Sequence, residues 1–264
     1  MKIAHLSDVH FGRIAYPEIV DVIVAEVNAM GVDLVVISGD LTQRARPRQF
    51  EEAVAMIEAF EPPVLVVPGN HDVYAWWHQP FLRLFRPLRR YHALVARDLM
   101  PTVEIDGVAV LGINSAYGWT IKGGWIGQAA RERVVSYFAD QEAELFKILV
   151  VHHHLLRLTA LGKHDVARHA ERMLASAARA GVDLVLCGHL HVSHVAAIES
   201  VAGGRRLVIA SAGTASSNRW RDPHRFANDY NVIDVGSAAF TIEERRYHPE
   251  ARQFRTARQT RFDR

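Results

Sequence analysis

Aspartate, asparagine and histidine gather in five short clusters: Asp8-Val9-His10, Gly39-Asp40, Gly69-Asn70-His71-Asp72, His152-His153-His154 and Gly188-His189-Leu190-His191. Each cluster alone is a weak signal. Asp-x-His and Gly-Asp occur in many turns, and a histidine run can be a surface bias. The four-residue Gly69–Asp72 cluster says more, because amide, imidazole and carboxylate side by side are costly to bury without partners. Together the five supply the donors of a metal site. Carboxylate and amide oxygens mixed with imidazole suit Mn, Fe, Zn or Co better than Ca.

Every cluster follows directly on a short, β-branched apolar run. The runs are Ile3–Ser7, Leu34–Ser38, Val64–Val67, Ile148–Val151 and Leu184–Cys187; Val108–Ile113, Leu207–Ser211 and Asn231–Val235 read as further strands. Continuous apolar runs of this kind belong to strands buried on both faces. Helices are expected between them, over Pro17–Met30, Arg48–Phe60, Gln128–Glu142 and Val166–Ala180, the last with Asp165 as its N-cap. The alternation predicts an α/β fold of largely parallel strands, in which ligands collect at the carboxyl ends of strands. All five clusters would then meet at one sheet edge. A weak internal echo supports this: Gly31-Val32-Asp33-Leu34-Val35 and Gly181-Val182-Asp183-Leu184-Val185 each follow a helix and open a strand that ends at Asp40 or His189.

The 264 residues are 49% hydrophobic and 23% charged, a composition that excludes intrinsic disorder and allows one domain with a large core. A single cysteine, Cys187, excludes an internal disulfide framework. No apolar stretch is long enough for a transmembrane helix, and Met1–His5 lacks a signal-peptide pattern, so a cytoplasmic protein with no membrane partner is expected. The net charge of +2 is unevenly spread: residues 245–264 hold seven arginines and two acids, and residues 81–97 hold five arginines and no acid. Such regions either attract phosphates or are solvated surface.

The ordered clusters resemble the calcineurin-like metallophosphoesterases, whose pattern is Asp-x-His, Gly-Asp, Gly-Asn-His-Asp, a later histidine block and Gly-His-x-His. The match runs from residue 8 to residue 191. The Ser7-Asp8-Val9-His10 spelling is most similar to the bacterial class III cyclic-nucleotide phosphodiesterase branch. The resemblance implies a four-layer α/β/β/α sandwich of two mixed sheets flanked by helices. It implies two divalent or mixed-valence transition-metal ions, one held by Asp8, His10 and His191, the other by Asn70, His153 and His189, with Asp40 bridging. The family's His-x-Pro departs here to Leu155, which leaves His152 as the alternative to His153, with His154 further out. His71 is then the catalytic histidine, steadying the transition state or protonating the leaving group, and Asp72 either orients a neighbour or caps a helix.

The activity implied is hydrolysis of small phosphodiesters, such as 3′,5′-cyclic nucleotides, by attack of a metal-bridging hydroxide. A nuclease or a phosphomonoesterase is the alternative, and a non-catalytic metal-stabilised binding protein the remote one. Nucleic acid is a possible partner that is not favoured. The chain reads as a single domain over 1–264, with a cap insertion at 74–101 and a basic extension after 245. Trp76, Trp77, Phe81, Phe85 and Tyr91 are too many rings for a free loop and should pack, over the site as a cap or in a homodimer. Arg83, Arg86, Arg89 or Arg90 would face phosphate. The small hydroxyl residues of Ser211–Arg221, with Arg219 or Arg221, form a candidate substrate loop.

Overall fold

A computed structural model describes residues 1–157, 166–198, 206–220 and 226–264. Asp165 and Arg221 lie outside the described residues. The first sheet has the order β12-β11-β10-β1-β2-β3, and the second β4-β5-β6-β7-β9-β8. In the first, β1 (Lys2–Leu6), β2 (Leu34–Ile37) and β3 (Val64–Val66) run parallel, while β10 (Asp229–Val235), β11 (Ala239–His248) and β12 (Gln253–Asp263) continue antiparallel. In the second, β5 (Val108–Ile113), β6 (Phe146–Val151), β7 (Leu184–Cys187) and β9 (Leu207–Ser211) are parallel. β4 (Thr102–Ile105) and β8 (His194–Ile198) form its antiparallel edges.

Strand alternation sorts the side chains into three cores. Ile3, Leu34, Val36, Val110, Ile148, Leu184 and Val208 point between the sheets and close a shared apolar layer. The intervening residues Ala4, Val35 and Ile37 face outward against α1 (Ile19–Ala29) and α2 (Pro47–Glu58), through Ile19, Ile23, Val27, Phe50 and Ala53. On the other side Leu111, Leu149, Val151 and Val185 meet α5 (Gln128–Ala139) and α6 (Ala170–Arg179), through Val134, Phe138, Met173 and Ala177. This is the four-layer α/β/β/α sandwich that the family resemblance implies, and the strands are apolar throughout because both of their faces are covered. Among the described residues no helix is long and apolar enough to cross a membrane.

The echo is a repeated joint. Gly31 and Gly181 both take positive φ, 58° and 74°, where α1 and α6 end. Asp33 then accepts from the Lys2 amide at 2.7 Å, and Asp183 from the Lys147 amide at 2.9 Å, pinning each incoming strand to its neighbour. Helix ends differ from expectation where other contacts take the backbone. α6 begins at Ala170 rather than Val166, because the Ala167 amide donates to the His154 carbonyl and Arg168 bridges Trp125. α2 begins at Pro47, whose missing N–H costs nothing in a helix's first turn.

The ring-rich segment forms two short helices, α3 (Pro80–Phe85) and α4 (Arg89–Leu94). Only part of it packs. Tyr91 is fully buried against Phe50, whereas Trp77, Phe81 and Phe85 are 69%, 78% and 74% exposed. Two of its five arginines are structural: Arg83 is buried and donates to the carbonyls of Tyr74, Gly118 and Thr120, and Arg90 donates to that of Ala45. The residues after 245, expected as a basic extension, complete β11 and form β12. Arg245 pairs with Glu26 and Glu243, and Arg246 with Asp229, so these cations already have carboxylate partners.

Ile23 lies at the centre of the α1 interface and is fully buried. Ile23→Ala should lower stability by about 2–5 kcal/mol, read from chemical denaturation.

Candidate metal centre

Five strand ends carry the chemistry, but they come from two sheets rather than one edge. β1, β2 and β3 deliver Asp8, Asp40 and Asn70; β6 and β7 deliver the 152–154 block and His189. Beyond the strands the first sheet's pairing continues through loop backbone. The amides of Asp8, His10 and Phe11 donate to the carbonyls of Gly39, Asp40 and Leu41 at 3.0, 3.0 and 2.9 Å. Asp8, His10, Asp40, His189 and His191 all take positive φ, between 53° and 72°. Left-handed backbone at a non-glycine residue costs about 1–3 kcal/mol and persists where the surroundings impose it. Here it turns five side chains into a common space.

Two groups of donors result. Asp8, His10, Asp40 and His191 form one, and His152, His153 and His189 the other; within each, ligand atoms lie within 4.8 Å of one another. In the first, Asp8 Oδ2 accepts from the Ser7 hydroxyl and the His189 amide, both at 2.7 Å. Its buried Oδ1 has no hydrogen bond and lies 3.1 Å from His191 Nε2 and 3.5 Å from His10 Nε2. The Nδ1–H groups of His10 and His191 donate to the carbonyls of Thr42 and Arg219. Both Nε2 atoms therefore present lone pairs, and these face each other at 3.2 Å. Two lone pairs and a bare carboxylate oxygen converging in a buried space repel unless a cation sits among them. Outer N–H groups held by carbonyls are the usual support of metal-binding imidazoles. The residues present fit a metal ion.

Asp40 joins the two groups. Its Oδ1 accepts from the His71 amide at 2.7 Å, and its Oδ2 faces His10 Nε2 at 3.6 Å and His152 Nε2 at 3.4 Å. Burial alone would raise Asp8 and Asp40, but His191 and His10 beside Asp8, and His152 and His71 beside Asp40, hold both carboxyls well below the usual range. Burial opposes a proton on His152 as well, yet Asp40 outweighs it and raises His152 to about 9. That is a measure of how strongly this spot attracts positive charge. Burial, with His152 beside it, lowers His153 to about 3.

The histidine block offers both of its first two members. His152 Nδ1 donates to the Ser38 carbonyl at 2.7 Å, and its Nε2 lies 3.3 Å from Asn70 Oδ1. His153 Nδ1 meets Ser115 Oγ at 2.8 Å, and its ring packs on His189 with centroids 4.6 Å apart. His154 contacts Ser211 Oγ at 3.1 Å and serves the junction with β9 rather than the substrate side.

Asp72 caps no helix and does not touch the His71 ring. Its carboxylate accepts from the amides of Leu41, Thr42 and Gly69 at 3.2, 2.9 and 2.9 Å, tying the loop of Asp40 to the loop of Asn70. Burial, with Asp40 nearby, pushes it up to about 7. The His71 Nδ1–H donates to the Gln43 carbonyl at 2.9 Å, and its Nε2 accepts from Arg219 at 2.7 Å. Burial lowers His71 to about 4, which keeps it neutral near pH 7. Most hydroxyls of the Ser211–Arg221 loop are likewise structural. Thr214 Oγ1 and Ser216 Oγ donate to the carbonyls of Asp8 and Val9 at 2.7 and 2.9 Å. Among its described residues only Arg219, Asn218 and Trp220 reach the cavity. This space of about 940 Å³ opens over Asp40, Asn70, His71, His189 and His191. Sequence reading missed Gln43, Arg13 and Arg44 on its walls; nothing distinguishes them in the sequence, since only folding brings them there.

Fold and site define a class: an α/β/β/α phosphoester hydrolase whose two donor groups share one carboxylate. Residues 1–193 match the family model for calcineurin-like phosphoesterases, and the chain belongs to that family. It is a metal-dependent phosphoester hydrolase, and the family works with two divalent transition-metal ions. Over 206 residues it is 28% identical to glycerophosphodiester phosphodiesterase GpdQ of Enterobacter lignolyticus, covering 72% of this chain and 71% of that one. It is 25% identical over 164 residues to 3′,5′-cyclic adenosine monophosphate phosphodiesterase CpdA of Haemophilus influenzae, covering 60% of this chain but only 54% of the relative. Among solved structures, a purple acid phosphatase from yellow lupin superposes over 100% of this chain and 53% of its own, with TM-score 0.76 and 12% identity. A dimetal phosphatase from Danio rerio superposes over 93% and 96%, with TM-score 0.66 and 13% identity. These likenesses establish the fold.

Gly39, at φ 98°, has room for no side chain: a Cβ would stand 2.6 Å from His152 Nδ1 and 2.9 Å from the Gly69 nitrogen. Gly39→Ala should cost about 1–3 kcal/mol of stability and displace His152 from Asp40, lowering bound metal in elemental analysis.

Proposed function

We propose that the protein hydrolyses small phosphodiesters, 3′,5′-cyclic nucleotides among them. The observation that carries this reading is Asp40 Oδ2, standing between His10 and His152 at the floor of a cavity walled by Trp76, Trp77 and Trp220. The cavity is the size of a small ligand, and its rings suit a base. Both curated relatives described above are named as phosphodiesterases.

In this reading Asp8, His10 and His191 hold one ion, Asn70 and His189 the other, and Asp40 both. His152 joins the second set, since it is the member of the block beside Asp40 and Asn70; His153, favoured by the sequence pattern, stands next to it against His189. When bound, the two ions make a water acidic enough to attack at neutral pH and neutralise charge on phosphorus. The remaining work falls to the chain. Asp72 fixes the loops that carry Asp40 and Asn70. His71, neutral and accepting from Arg219, holds that guanidinium toward the cavity, where its N–H groups can meet phosphoryl oxygens. Of the two roles the family resemblance implies for His71, this favours steadying the transition state over protonating the leaving group. Residues 74–97 act as the cap, with Trp76 and Trp77 choosing the substrate.

Manganese-loaded protein should cleave bis(p-nitrophenyl) phosphate and cyclic AMP faster than p-nitrophenyl phosphate or single-stranded DNA; a preference for the monoester would overturn the proposal. Asp40→Ala should lose both ions and all hydrolysis. His152→Ala should lose one ion, and retention of both, with loss in His153→Ala instead, would return the ligand to His153. His71→Ala should keep both ions while kcat falls about 10²–10⁴-fold, equally for p-nitrophenolate and alkoxide leaving groups. Trp77→Ala should raise KM without changing the mass in solution; a change of mass would assign the exposed rings to a homodimer.

A further inference from the structure

The cavity over the metal centre is charged far beyond what one phosphodiester needs. Arg13, Arg44, Lys122, Arg157 and Arg219 line it, against the single carboxylate of Asp40. Among the described residues none of these five cations takes part in an ion pair, although elsewhere Arg245, Arg246 and Arg258 find carboxylates. Arg83, which also lines the space, is different in kind: its N–H groups are taken by three carbonyls.

Three of these cations crowd together. Arg219 reaches His71 Nε2 at 2.7 Å and Gln43 Oε1 at 3.3 Å, so it stands at the floor beside the metal ligands. Arg44 is the neighbour of Gln43 and lies over the Trp77 ring at 4.9 Å, so it stands where the floor meets the cap. Burial first, and then the charges of Arg219, Arg13 and Arg46, lower the Arg44 guanidinium from its ordinary value. Like charges gathered without counter-charge oppose one another, and the two ions that the site fits add more of the same sign. Such an arrangement is relieved by a ligand that brings anionic groups to two places: one at the metals, the other at Arg44 and Arg13. The diester itself, with one negative charge, reaches only the first.

We propose that the preferred substrate carries a second phosphate beside the diester that is cleaved, and that Arg44 and Arg13 recognise it while Trp77 stacks on the adjoining base. The substrate class is a phosphorylated dinucleotide or a nucleotide of similar size with two separated phosphate groups. This rests on the phosphodiesterase reading above and sharpens it. Guanidinium groups suit the task because they bind phosphate bidentately and stack on rings at once. A cavity of about 940 Å³ accommodates a ligand of that size, not a duplex.

The test compares two substrates with the same scissile diester, the diadenylate ApA and its 5′-phosphorylated form pApA, using the manganese-loaded full chain. Products are separated chromatographically, so that loss of the terminal phosphate is counted apart from diester cleavage. The expected kcat/KM ratio of pApA to ApA is about 10–100, the effect of one or two charge-assisted hydrogen bonds, and it should fall with added salt. Arg44 is exposed, so Arg44→Gln leaves the core packing alone. In that variant the ratio should drop to about 1–3, and further with Arg13→Gln; the ratio is insensitive to how much protein is folded. Equal rates for ApA and pApA in the unaltered protein would overturn the second-phosphate proposal while the phosphodiesterase reading stands. So would an undiminished ratio in the double variant. No cleavage of ApA, pApA or bis(p-nitrophenyl) phosphate would overturn both.

Discussion

The structure depends on how the Asp40 carboxylate is shared. One oxygen is fixed by the His71 amide, and the other stands between His10 and His152, one from each donor group. A carboxylate with both oxygens engaged and no exposure is stable only where positive charge surrounds it. The protein meets this with histidines whose outer nitrogens are tied to backbone carbonyls, leaving inner lone pairs that call for cations. Asp72 completes the arrangement from behind by holding the amides of Leu41, Thr42 and Gly69. The carboxylate that faces the chemistry is thus positioned by one that never reaches it.

That sharing requires two sheets to meet at one end. Within the first sheet the loops beyond β1 and β2 continue the backbone pairing, so Asp8, His10 and Asp40 arrive in register. The second sheet is tied in through His152 Nδ1 on the Ser38 carbonyl and the His189 amide on Asp8. Positive φ at five of the donor residues is the cost of turning the chain so sharply inside a packed seam. The apolar layer between the sheets, from Ile3 to Ile233, supplies the rigidity that keeps the strained loops in place.

Around this fixed floor the walls are less constrained. The ring-rich segment is anchored by Arg83 and Tyr91 but leaves Trp77, Phe81 and Phe85 in solvent. Beside it stand Arg13, Arg44 and Arg219, which among the described residues form no ion pair. On this scaffold the packed part lies in the floor and the exposed part in the walls, a division common where loops surround a rigid frame.

The sequence by itself determined a great deal. Continuous apolar strands, each followed by Asp, Asn or His, named nearly every donor at the centre, because strand ends are where an α/β sheet exposes its ligands. The Gly-Val-Asp echo was legible too, and proved to be one joint built twice, with Asp33 and Asp183 doing the same work. Other matters were decided only by tertiary structure. Whether His152 or His153 stands beside Asp40 depends on the rotation of a strand end against a second sheet, which a run of three identical residues cannot specify. Arg83 reads as a phosphate ligand until folding surrounds it with carbonyls, while Arg13 and Arg44 carry no signal until folding sets them on the wall of the cavity. A side chain's chemistry is local and can be read in the sequence. Its partners lie dozens of residues away, and only the packed chain chooses them.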